Sequence, residues 1–252
     1  MKNFALLIAI GYVLTLCSCS PQFSKELGTI VNEADSVLVA NSGSASQITQ
    51  GDAASAIKEA LGNGIKKGVA QVSVNNGYLT NAAIKVILPK EADNVEAVLR
   101  DLGQSALVDK AVAQMNHAAE QAAPKATNIF IDAITKMTIS DAIGLVQNNQ
   151  PDACTQFLKK TTTDALVAAF KPSIKTALDQ TYATAAWGDV MSVYNKVPFV
   201  QPVNTDLPDY VTHKAIDGLF YTIAQEEAKI RKDPMAQVSD LIKRVFGTLL
   251  KK

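Results

Sequence analysis

The apolar positions of this chain recur with the period of an α-helix, and the longest unambiguous run is Tyr210–Pro234. Within it Ile216, Leu219, Phe220, Ile223 and Ile230 follow the i, i+3, i+4, i+7 rule and fall on one stripe. At about 100° per residue, Glu227 lies near the middle of that stripe, with His213 and Glu226 at its two margins. The rest of the chain is expected to be organised around this helix.

Upstream, Thr49 followed by Asp52 approximates a capping box and opens a helix through DAASAIKEALGNGIKKGVAQV. Ile57, Ala60, Leu61, Gly64, Gly68 and Val72 share its buried face, so two glycines there predict the close approach of another helix. A phosphate-binding glycine loop would need a preceding strand and a Lys-Ser/Thr ending, and both are missing. Asn75-Asn76-Gly77 predicts a turn, and 81–88 is an apolar run that fits strand or helix equally. The helical period returns over Glu91–Arg100 and over Ala106–Ala123, the latter capped by Ser105 and stopped by Pro124. On that wheel Val108, Ala111, Val112, Met115 and Ala119 face inward, and His117 faces solvent.

Short helices are expected over Thr127–Met137, Ser140–Gln147, Asp152–Lys160 and Asp164–Gln180, with Pro172 kinking or dividing the last. Trp187 and Tyr194 mark a further helix ending before Pro198. Pro198, Pro202 and Pro208 make an extended connection into the central helix, and a closing amphipathic helix runs over Ala236–Leu250. No segment keeps the period of a strand and no repeat of fixed length emerges, so the pattern predicts an all-α single compact domain of many short-to-medium helices.

The first residues change where that domain is placed. One charge at Lys2, an uninterrupted apolar run from Phe4 to Leu16, and then Cys17-Ser18-Cys19 make a signal-peptide core too short for a comfortable membrane span. Leu16-Cys17-Ser18-Cys19 resembles the bacterial lipobox, with an apolar residue three places before, and a small residue directly before, the lipidated Cys19. The expected organisation is therefore a lipoprotein signal peptide over 1–18, a lipidated N-terminus and flexible tether over 19–48, and the helical domain over 49–252. Cleavage leaves Cys19 and Cys154; lipidation uses the first, so the domain has no intramolecular disulfide to rely on. Cys154 has no histidine or basic group close in sequence except Lys159 and Lys160, one to two turns away, and reads as a small packed residue.

Apolar residues at 48% against 19% charged fit a globular protein and exclude disorder of the highly charged kind. The formal charge is zero, Lys and Arg are scattered, and aromatics are few, so a nucleic-acid partner is not expected.

Three segments in order, NNGYLTNAAIKVILP, MTISDAIGLV and YVTHKAIDGLFYTIAQEEAKIRKDP, closely resemble the bacterial DUF4197 family, over about residues 48 to 248. The resemblance implies an exported bacterial protein and carries no catalytic residues with it.

The candidate chemistry is sparse. Glu227, dropped into an apolar stripe, must be paired, protonated or close to water, and a salt bridge or helix-cap contact to another helix is the first expectation. Together with Glu226, His213 and Asp217 it forms a candidate buried polar site. His117 with Glu120 and His213 with Asp217 are spaced for one helix face, and a metal would take His213, Asp217 and Glu226. Their order reverses the Glu-x-x-His of di-iron bundles, so neither a metal nor another cofactor is expected. No nucleophile elbow, Cys-His pair or dinucleotide fingerprint accompanies these residues. The leading expectation is a non-enzymatic binding or scaffolding module, lipid-anchored to the outer membrane on its periplasmic side, with an envelope protein as partner. The alternative is a helical carrier of an apolar or amphipathic small molecule; the third is an enzyme built around Glu227.

Overall fold

The computed structural model describes residues 48–148, 150–181, 183–196, 202, 206–233, 239–241 and 243. The chain divides into Met1–Ile48 and Thr49–Lys252, and the description is of the second unit. The signal peptide, Cys19 and, apart from Ile48, the tether lie outside the described residues, as does most of the closing helix expected over Ala236–Leu250.

The described residues are all-α. In chain order the helices are α1 (Gln50–Ser73), α2 (Asp93–Asp101), α3 (Ser105–Ala122), α4 (Ala126–Lys136), α5 (Ile139–Gln147), α6 (Ala153–Asp179), α7 (Ala183–Tyr194) and α8 (Leu207–Lys232). None of them is long and apolar enough to cross a membrane.

The Thr49 box opens α1: the Thr49 hydroxyl accepts from the Asp52 N–H at 3.1 Å, and Asp52 accepts from the Thr49 N–H at 3.0 Å. The two glycines lie against α8, as the sequence predicts. A Cβ on Gly64 would stand 3.0 Å from Ile230 Cδ1, and one on Gly68 3.3 Å from Ile223 Cγ1. After α1 the chain turns through Asn76 at φ 63°. Gly77 follows, where a side chain would meet the Gln71 and Val72 carbonyl oxygens at 2.7 and 2.8 Å. The ambiguous run 81–88 is neither helix nor strand but a turn leading into irregular chain.

α8 is the central helix, packing most extensively against α6 and α1 and also touching α3 and α7. Its buried surface exceeds the expected stripe: Val211, Thr212, Ala215, Gly218 and Thr222 are buried along with Ile216, Leu219, Phe220, Ile223 and Ile230. The threonine hydroxyls tolerate this by donating to the carbonyls of Pro208 and Gly218 in their own helix. Phe220 meets Phe130 of α4 edge to face at 5.7 Å.

The structure corrects three boundaries. Asp152–Lys160 and Asp164–Gln180 are one helix, α6, which passes through Pro172. Its buried residues Cys154, Leu158, Thr162, Leu166, Phe170, Ile174 and Leu178 repeat every four residues, a spacing that drifts about 40° per step. No single stripe therefore spans the helix, and its neighbours change along its length. Pro172 is exposed, so its ring and the helix bond it omits fall on the solvent side. Ser105 is not the cap of α3; Gln104 holds that position without a side-chain bond. α3 ends at Ala122, just before Pro124 as expected, and Pro124 sits in a 3₁₀ turn, Ala123–Lys125, that joins α3 directly to α4. Pro208 belongs to the first turn of α8, where a missing N–H costs no helix bond, and Asp206 caps that turn by accepting from the Asp209 N–H.

Candidate functional site

Glu227 is buried and fully engaged. Its carboxylate accepts from the N–H groups of Cys154 and Thr155 at 2.9 and 2.8 Å and from the Thr155 hydroxyl at 2.8 Å. These are N–H groups of the first turn of α6, which a cap residue ordinarily satisfies. Asp152, at the cap position, makes no such bond and accepts from the Gln156 side chain instead. Glu227 thus caps α6 from another helix, its charge facing the positive end of the helix dipole.

The other half of the same device is Arg231. Its guanidinium donates twice to Glu227 Oε1, at 2.9 and 2.8 Å. It also donates to the carbonyls of Leu145 at 2.9 Å and Asn148 at 3.1 Å, the C-terminal end of α5. One ion pair on α8 therefore closes the end of α5 and the start of α6 on either side of their connection. Cys154 lies beneath it, buried. Burial, and secondly the Glu227 charge, push its thiol up to about 12, which keeps it protonated and unreactive.

Glu226 faces a different neighbour. It accepts from Gln71 of α1 at 2.8 Å and from Lys229 at 2.5 Å. Burial acts to raise its carboxyl, but those two bonds and the charges of Lys229 and Lys67 outweigh it and hold the group below the usual range. His213 and Asp217, grouped with these glutamates in the sequence reading, stand on the narrow solvent face of α8, 55% and 60% exposed. His213 approaches Asp209 at 3.9 Å, one turn earlier, and Asp217 approaches Lys159 at 3.6 Å. The four residues form no common site, because α8 turns each of them to a different neighbour. Among the described residues no three His, Cys, Asp or Glu side chains gather closely enough to hold a metal ion.

Two further buried polar residues, Glu120 and Asn116, lie on α3; the sequence reading named Glu120 only as a partner of His117 and did not name Asn116. Glu120 accepts from the Tyr78 N–H at 3.2 Å and meets His117 Nδ1 at 2.8 Å, while His117 itself is 42% exposed. Tyr78 donates its hydroxyl to the Ala215 carbonyl at 2.7 Å; burial first, then the Glu120 charge, raise its phenol well above the ordinary value. Asn116 accepts from the Val86 N–H and donates to the Val86 carbonyl, both at 2.8 Å, acting toward that segment as a neighbouring strand would. The signal for both was present: Asn116 and Glu120 continue by fours from Val112 on the inward face of α3.

An open groove of 620 Å³ runs beside α8, between its solvent face and residues 83–90. Tyr210, Lys214, Asp217 and Tyr221 line one wall, and Lys85, Ile87, Leu88, Pro89 and Lys90 the other. A second groove of 440 Å³ lies between α4 and α6.

The molecule is thus an all-α globular protein whose buried carboxylates are bound to backbone and side-chain groups of neighbouring elements. The chain belongs to the DUF4197 family, described as a protein of unknown function, whose model matches residues 47–247. No curated protein and no solved structure matches it.

Proposed function

We propose that this protein is a lipid-anchored binding module of the bacterial cell envelope, attached through Cys19 to the periplasmic side of the outer membrane, and that it acts by holding a partner. The observation that carries the binding reading is the contrast between its two kinds of polar residue. Glu120, Glu226 and Glu227, the buried carboxylates among the described residues, are all engaged in joining elements of the fold. The open groove between α8 and residues 83–90, lined by none of these three, presents lysines, tyrosines and apolar side chains to solvent. An enzyme centred on Glu227 would need that carboxylate free to meet a substrate.

The anchor rests on Leu16-Cys17-Ser18-Cys19, and Ser20 in place of Asp after the lipidated cysteine favours outer-membrane sorting by analogy. Lipoprotein acylation supplies more than the one chain that gives only marginal anchoring. Cys19→Ala should move the protein from membrane fractions into the soluble periplasm, and retention in the membrane would overturn the anchor. A second reading, a carrier of an apolar or amphipathic molecule, draws support from the size of the grooves, 620 and 440 Å³, within the range of small-molecule sites. Native mass spectrometry separates the two, since a carrier retains a lipid-sized adduct through gentle purification.

A further inference from the structure

The groove along α8 has a regular construction. Tyr210, Lys214, Asp217 and Tyr221 follow one another at three- and four-residue spacing, so this wall extends about 16 Å along the helix. The opposite wall runs antiparallel to it. Ile84 packs against Gly218, where a Cβ would come within 3.0 Å of Ile84 Cβ, and the Ile87 carbonyl accepts from the Tyr210 hydroxyl at 2.9 Å. This wall is fixed in place, because both polar backbone groups of Val86 are held by the buried Asn116. The groove is therefore formed before anything enters it, which lowers the ordering cost of binding.

Its charge is distributed along its length. On the second wall Lys85 stands toward the Gly218 end and Lys90 toward the Tyr210 end, and on the helix wall the Lys214 ammonium lies 5.8 Å from the centre of the Tyr210 ring. None of these lysines makes an ion pair with another described residue, and Asp217, the acid among the lining residues, is shared with Lys159. Between Lys85 and Lys90 lies Ile87 at 56% exposure, and past the Gly218 end lies Tyr221 at 45%, apolar surface that gains by being covered. A single-headed amphiphile needs cations at one end only. Positive charge on both walls, with apolar surface beside it, is complementary to an extended chain of about five residues at roughly 3.3 Å each that carries acidic and apolar side chains in successive pairs, so that each face of the chain presents both kinds.

We propose that the groove between α8 and residues 83–90 binds an extended acidic peptide segment of an envelope partner, its carboxylates meeting Lys85, Lys214 and Lys90 and its apolar side chains covering Ile87 and Tyr221. This rests on the reading of the protein as a binding module and names the chemistry of what it holds.

The test uses the full chain in zwitterionic lipid nanodiscs, with empty nanodiscs as blank. The probe is a dye-labelled nonapeptide of glutamate and leucine in successive pairs, which puts both kinds of side chain on each face of an extended chain, and binding is read by fluorescence anisotropy. Binding should be absent for the counterpart with lysine in place of glutamate and should weaken with salt. The doubly reversed variant Lys85→Glu/Lys214→Glu should bind about tenfold or more weakly. Both lysines are exposed, so the variant should keep the helical circular dichroism of the parent. Equal binding of the acidic and basic peptides, or binding unaltered by the double reversal, overturns the proposal. If dodecanoate binds instead, in a manner lost in the double variant, the peptide proposal fails and the carrier reading is favoured over the partner-binding module. If neither probe binds, the peptide proposal fails, and the anchor is still judged separately by fractionation of Cys19→Ala.

Discussion

Glu227 is the residue at which the competing readings diverge most sharply in what they predict. Its five hydrogen bonds run to the first turn of α6 and to Arg231, which in turn serves the end of α5. Glu227→Ala removes the cap of a 27-residue helix and leaves a guanidinium, only 23% exposed, without its counter-charge. Breaking such a pair from one side costs about 3 kcal/mol, which at this chain length lowers the melting temperature by roughly 6–12 °C. Arg231→Ala should cost less, about 1–2 kcal/mol, because the three bonds from α6 continue to hold Glu227. Thermal unfolding of both variants checks the order. A carboxylate kept for chemistry behaves in the opposite way, its removal leaving stability unchanged or raised, and that outcome for Glu227→Ala would reopen the enzyme reading.

At the scale of elements, long-range capping recurs. Lys58 of α1 donates to the carbonyls of Thr135 and Met137 at the end of α4, as Arg231 does for α5 and Glu227 for α6. The local boxes of Thr49 with Asp52 and Thr138 with Asp141 were legible or nearly so, since both partners lie within one turn. The long-range caps were not, because the Lys58 and Glu227 contacts join residues more than 70 positions apart and carry no local spacing. Glu227 could be singled out as an anomaly in an apolar stripe, yet its partner on α6 could not be named. Grouping it with His213 and Asp217 failed for a related reason: a margin of the wheel on a helix buried on most sides still leaves a narrow face in water.

Glycine separates packing from propensity in the same helices. At Gly218 an added Cβ would lie 2.8 Å from Tyr78 Cε1 and 3.0 Å from Ile84 Cβ, against a buried ring. Gly218→Ala should therefore destabilise by about 1–3 kcal/mol even though alanine is the better helix former. Gly144, exposed in α5 with nothing within 4 Å of an added Cβ, should show the reverse, Gly144→Ala adding up to about 1 kcal/mol. Urea unfolding midpoints of the two variants should move in opposite directions.

For the molecule as a whole, the attachments of α8 to its two main neighbours depend on ionised carboxylates. Glu226 ties it to Gln71 of α1, and Asp206 and Asp209 at its start hold Lys171 of α6 at 2.9 and 2.7 Å. At Asp206, as at Glu226, burial acts to raise the carboxyl and is outweighed, here by the bond from Lys171, so both groups are held below their ordinary values. A carboxyl whose value is lowered by folding binds protons more readily in the unfolded chain. Stability from it is complete above the unfolded value and is lost as the pH falls through the folded one. Asp141, lowered by its bonds with Thr138, adds to the same trend at the start of α5. The unfolding midpoint in urea should accordingly be steady across the neutral range and fall once the pH drops below about 4, where unfolded-state carboxylates begin to protonate. Glu226→Gln keeps the shape of the side chain while removing its titration, so it should lower the neutral midpoint and flatten part of the acid decline. A midpoint in the parent chain that stays constant down to about pH 3 would mean that α8 is held by its apolar faces alone, with the carboxylates at its start and end contributing nothing to its attachment.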